Sequence, residues 1–435
     1  MNIKTVTVLG ANGTMGKNVS AIFASFGDAD VYMVCRSKED AEKAAEQAPG
    51  TVRAETIKER LIPATYEELS SILPKSDLVF ESAAEDMEVK KRINQMVAPH
   101  LNGHTIFCTG TSGLSVNELA DVLPQDTSRR YFGMHFYNPP YSMPLCEIIP
   151  NRNTDISCQR EVEKYLKDKL FRTVVEVKDR AAFLGNRIGF FFINEAFQYA
   201  ERYKEQGGID YIDEILGGFT GRNMPPVLTS DFVGLDVHNA IIKNVYENSE
   251  DCSKESFSTP DFLKELLSEK RYGRKAGEGA YKTLRNTDGT KEVLVYDIKS
   301  GQYREKRKYG LKFRDEVIRY LRNGDYRTAW DIIITDNSIE AGIARDFLVR
   351  YVIYSLAVSK EIAPSPHAAD HVMAMGFNWV PPMAVIDAFG GKEQLLEIVK
   401  TADLNNLSLK LSDIETLIMG IPKSEYDYRK FLKAK

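Results

Sequence analysis

The stretch that most restricts the fold lies at the beginning. Thr5-Val6-Thr7-Val8-Leu9 has the apolar, β-branched character of a buried strand and runs straight into Gly10-Ala11-Asn12-Gly13-Thr14-Met15-Gly16, after which a helical pattern continues to about Phe26. Glycines between a strand and a helix let backbone N–H groups close on a pyrophosphate at the positive end of the helix. A glycine turn alone is weak evidence. A second strand over Asp30 to Val34 follows at the distance a βαβ unit requires, so Gly10, Gly13, Thr14, Met15 and Gly16 are candidate dinucleotide-binding residues.

The end of that second strand bears on cofactor choice. An acidic side chain there would hydrogen-bond a ribose 2′-hydroxyl and exclude a 2′-phosphate, but this chain has Cys35-Arg36-Ser37. Arg36 is suited to a phosphate, which makes NADP as acceptable as NAD, unless it only stacks on adenine. Strands and helices go on alternating through Asp77 to Phe80, Met87 to Leu101 and Thr105 to Cys108. The expected class is therefore an α/β Rossmann-type doubly wound sheet, with Glu85, Ser112 and His135 on the rim at the carboxyl ends of its strands.

His135 lies between a short aromatic strand and the turn Asn138-Pro139-Pro140, and Glu147 follows in the next strand. A histidine beside aromatics is most often an ordinary half-buried residue. A carboxylate on one ring nitrogen, however, would fix the tautomer and stabilise the imidazolium, which is how a general base is oriented.

The 435 residues suffice for two to four domains, and 43% hydrophobic with 27% charged residues is ordinary for a soluble globular chain. A net charge of −5 offers no electrostatic footprint for nucleic acid or an anionic membrane. Five cysteines without metal-ligand spacing predict reduced thiols, a cytoplasmic location and no metal site. Met1 to Lys4 lead directly into a strand, so no signal peptide is expected, and no apolar run approaches about 18 residues.

From about Asp179 the pattern becomes helical, with one long helix predicted over Ala181 to Glu205. Asp288-Gly289 and Ser300-Gly301 predict hairpins between Lys282 and Lys306. The last third echoes the helical part. Phe183-Leu184-Gly185-Asn186-Arg187 answers to Ala341-Gly342-Ile343-Ala344-Arg345, and Gly218-Phe219 answers to Gly376-Phe377 at the same offset. After a two-residue deletion, Pro225-Pro226 and Asp231 to Gly234 answer to Pro381-Pro382 and Asp387 to Gly390. A shared offset over separated patches predicts an all-α domain present in two tandem, diverged copies. Asn186 corresponds to Ala344, so the first copy retains a polar group that the second lacks.

Taken together, residues 5 to about 282 resemble the L-3-hydroxyacyl-CoA dehydrogenase family. The resemblance is carried by His135-Phe136-Tyr137-Asn138-Pro139 with Glu147, by Asp77 to Glu81, by Thr111-Ser112, by Asp179 with Asn186-Arg187, and by Lys275-Ala276-Gly277-Glu278-Gly279-Ala280-Tyr281. It implies interconversion of 3-hydroxyacyl-CoA and 3-oxoacyl-CoA by hydride transfer with a nicotinamide cofactor. His135 would be the general base and Glu147 its orienting group. Ser112 and Asn186 would contact the substrate's reacting oxygen, while Glu85, Lys90, Asn138 and Lys275 would contact the cofactor. The second helical copy, as in multifunctional β-oxidation proteins, implies a monomer with an internal pseudo-dimer or a weak homodimer, with a separate hydratase or thiolase as possible partner.

The chain departs from the family in its longer glycine turn, in Cys35, in Gly110 before Thr111-Ser112, and in a shorter segment before Leu61. Two other readings stay open: an NADP-dependent β-hydroxyacid dehydrogenase on a non-CoA substrate, and a catalytically silent nucleotide-binding protein. The expected domains are 1–178 for the dinucleotide, 179–300 for the first helical domain and 301–435 for its degenerate copy.

Overall fold

The computed structural model describes residues 3–285 and 289–434. The chain forms two compact units, Met1–Phe183 with Ile362–Phe377, and Leu184–Glu361 with Asn378–Lys435. Among the described residues no helix is long and apolar enough to cross a membrane.

The first unit is built on eight strands: β1 (Thr5–Leu9), β2 (Asp30–Cys35), β3 (Leu61–Thr65), β4 (Leu78–Glu81), β5 (Ile106–Thr109), β6 (Tyr131–Phe136), β7 (Leu145–Pro150) and β8 (Thr173–Glu176). Their order is β3-β2-β1-β4-β5-β6-β7-β8, parallel as far as β6. β7 runs antiparallel to β6, and β8 is parallel to β7. Central strands covered on both faces must be apolar throughout, and Val6, Val8, Leu78, Phe80, Ile106 and Cys108 are all buried. Pro63 cannot donate to a ladder and sits in β3, at the edge. The parallel order carries the carboxyl ends of β1, β4, β5 and β6 to one rim. Residues 362–377 return to this unit: Lys178 N–H donates to the Ile362 carbonyl, and the ring of Phe377 meets Tyr137 edge-on at 5.8 Å.

In the second unit the helix Gly185–Arg202 is shorter at both ends than the predicted Ala181 to Glu205. Ala182 and Phe183 have φ of 59° and 54°, a left-handed conformation that no right-handed helix can include. This helix lies against the helix Ile339–Ile362 through Phe191 stacked on Tyr354, Phe192 against Tyr351, and Tyr199 against Phe347. The predicted hairpins appear as an antiparallel sheet of β9 (Tyr281–Arg285), β10 (Lys291–Asp297) and β11 (Gln302–Glu305). Of the two predicted turns, Gly289 and Gly301 both have positive φ, and Asp288 lies outside the described residues.

His238 is fully buried in this unit, between the rings of Phe190 and Phe197. Its Nδ1 is 2.7 Å from Ser230 Oγ and its Nε2 is 3.1 Å from Asn194 Oδ1, a pairing that suits the neutral ring. Burial lowers its pKa to about 3. The unfolded chain therefore binds a proton near pH 6.5 that the folded chain refuses, and the stability is present above that pH and lost as the pH falls towards 3. Thermal melts between pH 7 and 4 should show a downward slope of up to about 1.4 kcal/mol per pH unit from this group, shallower in His238→Gln. Equal slopes in the two proteins would contradict the assignment.

Candidate active site

Gly10 closes β1 with φ of 75°, and a Cβ there would stand 2.6 Å from the Ser82 carbonyl oxygen. A Cβ on Gly16 would stand 2.4 Å from the Gly10 carbonyl oxygen, so only glycine allows the helix Thr14–Ser25 to approach the strand this closely. Gly13 is the extended N-cap, and no side chain caps the helix, whose first N–H groups begin at Thr14 and Met15. An uncapped helix start behind a glycine turn offers N–H donors suited to a pyrophosphate. Arg36 is exposed after β2 and forms no ion pair among the described residues, while the neighbouring Ser37 caps the next helix by accepting from Asp40 N–H at 3.1 Å.

Farther along the rim, Glu81 at the end of β4 is wholly buried. It accepts from Lys90 Nζ at 2.9 Å and 3.0 Å, from Thr109 Oγ1 at 2.8 Å and from Ala83 N–H at 2.6 Å. Four hydrogen bonds from three donors compensate the charge that burial would otherwise penalise. Lys90 Nζ is also 3.5 Å from Glu85 Oε2, and Glu85 Oε1 accepts from Thr111 Oγ1 at 2.6 Å and from Ser112 N–H at 2.7 Å. Glu85, Lys90 and Ser112 are thus brought together. Glu81, which organises them, was given no role from the sequence, and its position at a strand's carboxyl end was the available signal.

His135 and Glu147 are twelve positions apart in sequence but directly opposite across the β6–β7 pair. Opposed residues of an antiparallel pair have Cβ atoms about 5 Å apart, and the side chains meet with Nδ1 at 2.7 Å from Oε2. A carboxylate can only accept, which puts the imidazole proton on Nδ1. Tyr137 Oη donates to the same Oε2 at 2.8 Å, and the rings of Tyr137 and Phe183 flank the imidazole at 4.6 Å and 5.7 Å. Nε2 makes no hydrogen bond among the described residues, so its lone pair remains for a proton. His135 is 5% exposed and Glu147 fully buried, which shields the pair from competing water.

Two further contacts were missed from sequence. Asn18, on the glycine-turn helix, donates to Asn138 Oδ1 at 2.9 Å and ties the cradle to the turn after His135. Gly376 lies so near Leu145 and Tyr137 that a Cβ would stand 2.6 Å from Leu145 Cδ2. Asn186 and Lys275 belong to the second unit. Asn186 is 8% exposed in the first turn of Gly185–Arg202, and Lys275 Nζ donates to Asp236 Oδ2 at 2.8 Å.

The model for the NAD binding domain of 3-hydroxyacyl-CoA dehydrogenase matches residues 5–180, and that for the C-terminal domain matches residues 183–283. A probable 3-hydroxyacyl-CoA dehydrogenase of Bacillus subtilis is 28% identical over 430 residues, covering 90% of this chain and 52% of the relative. The human mitochondrial hydroxyacyl-coenzyme A dehydrogenase is 28% identical over 296 residues, 64% of this chain and 91% of the relative. In fold, the chain resembles 3-hydroxybutyryl-CoA dehydrogenase of Escherichia coli with a TM-score of 0.69 at 21% identity, over 97% of this chain and 100% of that one. The chain spans about half the length of the first curated relatives it matches. The two family models together cover more than half of the chain, and the chain belongs to the 3-hydroxyacyl-CoA dehydrogenase family.

Proposed function

We propose that this chain interconverts 3-hydroxyacyl-CoA and 3-oxoacyl-CoA thioesters with a nicotinamide cofactor. The observation that carries this is the buried Tyr137–Glu147–His135 relay with its unengaged Nε2. The nicotinamide, when bound, accepts or returns the hydride at carbon 3. His135 Nε2 takes the hydroxyl proton in oxidation and returns it in reduction. A secondary alcohol is far too weak an acid to lose that proton unaided. Glu147 holds the ring through Nδ1–H and balances the imidazolium charge that develops. Ser112 and Asn186 are proposed to contact the reacting oxygen. The cradle of Gly10, Gly13, Thr14, Met15 and Gly16 would hold the pyrophosphate, with Glu85, Lys90, Asn138 and Lys275 completing the cofactor contacts.

For the cofactor we propose relaxed or NADP-leaning selectivity, because an exposed arginine stands where an acid would reject a 2′-phosphate. Acetoacetyl-CoA reduction, followed by reduced-nicotinamide absorbance, should proceed with NADPH, and Arg36→Ala should raise the KM for NADPH about tenfold with little effect on NADH. Strong NADH preference untouched by Arg36→Ala would refute the cofactor reading. No turnover of any acyl-CoA with either cofactor would refute the activity.

The proposed organisation keeps 1–178 as the dinucleotide domain, with 179–300 and 301–435 as diverged helical copies. In support, Pro226–Val233 and Pro382–Ala388 are helices with proline at the start, each followed by a positive-φ glycine, Gly234 and Gly390. A monomer or weak homodimer fits such an internal pair, with any hydratase or thiolase supplied separately.

A further inference from the structure

The second unit contains a cleft of about 810 Å³ that the proposed reaction does not use. One wall is the helix Pro226–Val233, contributing Leu228, Asp231 and Phe232, with Met224 just before it. The other is one face of β9 and β10. A side chain alternates faces along a strand, so Tyr281, Thr283 and Arg285 share a face. Their cross-strand partners Val295, Val293 and Lys291 share it with them. Its volume is in the range of small-molecule sites.

The charges are unbalanced. Arg274, Arg285, Lys291 and Lys306 line the cleft, and none forms an ion pair among the described residues. Arg285 stands directly opposite Lys291, and like charges at opposed positions of an antiparallel pair repel. Among the described lining residues the one acid, Asp231, is 5% exposed and accepts from Tyr281 N–H at 3.2 Å. Phe232 lines the same cleft half-exposed, with the Arg274 guanidinium 5.1 Å from its ring centre, and Val293 is exposed beside it. Cations able to grip phosphate next to an exposed aromatic ring match a molecule that carries both phosphate groups and a flat base.

We propose that this cleft is a binding site for a phosphorylated adenosine nucleotide, with Arg285, Lys291, Arg274 and Lys306 on its phosphates and Phe232 against its base. The choice of adenosine rests on the acyl-CoA reading above, since coenzyme A ends in a 3′-phosphorylated ADP. A free nucleotide would offer the same chemistry.

The probe is adenosine 3′,5′-bisphosphate, titrated calorimetrically into the full chain. Arg285→Ala with Lys291→Ala should weaken binding about tenfold or more, with the melting temperature showing that the double variant folds. Phe232→Ala should weaken the nucleotide but not inorganic pyrophosphate. A parallel rise in the KM for acetoacetyl-CoA would identify the substrate's own nucleotide end as the occupant; an unchanged KM with weakened binding would identify a separate nucleotide. Absent binding to the unaltered protein, or binding untouched by the double substitution, would overturn the site. Binding retained by a protein that reduces no acetoacetyl-CoA would remove the dehydrogenase reading and leave the site standing.

Discussion

His135→Ala should lower kcat for acetoacetyl-CoA reduction by about 10²- to 10⁴-fold while leaving cofactor affinity nearly unchanged. That corresponds to about 3–5 kcal/mol of transition-state stabilisation. The imidazole is held from one side only: Nδ1–H is committed to Glu147, and Nε2 is left to exchange a proton with substrate. Glu147→Gln should also cost activity, because it removes the charge that balances the imidazolium and allows the ring to turn. Tyr137→Phe should cost less, since it deletes only the second donor to Glu147 Oε2. Stopped-flow or steady-state rates with acetoacetyl-CoA check the series. Activity unchanged by His135→Ala would remove the assigned mechanism.

The second large effect concerns stability. Arg350 and Glu195 are both buried, with Nε 2.9 Å from Oε2, in the core of the helical unit. Arg350 Nη1 also donates to the Asp403 carbonyl at 2.8 Å, and Ser256 Oγ donates to Glu195 at 2.9 Å. Burial raises the Glu195 pKa, and the arginine opposes that rise. Arg350→Met leaves a buried carboxyl without its cation and should cost about 3–5 kcal/mol, the usual penalty for breaking rather than replacing a buried pair. For a unit of this size that lowers the melting temperature by roughly 10 °C. Arg350→Met with Glu195→Leu should recover most of the loss, because no charge is then left buried. A single variant that melts with the unaltered protein, or a double variant no better than the single, would contradict the account.

Much of the site was legible because its elements carry local signatures. The cradle could be read since Gly10 and Gly16 occupy places where a Cβ would collide with backbone, a demand met by residue type alone. The strands could be read since burial on both faces requires continuous apolar runs. Helix ends were harder: nothing in Ala182-Phe183 announces a left-handed backbone, which follows from how the chain leaves β8 for the next helix. Glu81 looked like the last residue of a strand. Its role emerges only when Lys90, from the following helix, and Thr109, from the neighbouring strand, converge on it.

The sequence by itself determined the βαβ start, the helical second half and the candidacy of His135 with Glu147, because periodicity and residue type act over a few neighbours. Only the tertiary structure decided that His135 and Glu147 are opposed across β6 and β7, that Tyr137 shares the same carboxylate oxygen, and that Arg285 faces Lys291 beside Phe232. The physical reason is strand register: shifting a strand by one residue would send His135, Glu147, Arg285 or Lys291 to the other face, and register is set by the packing of whole elements.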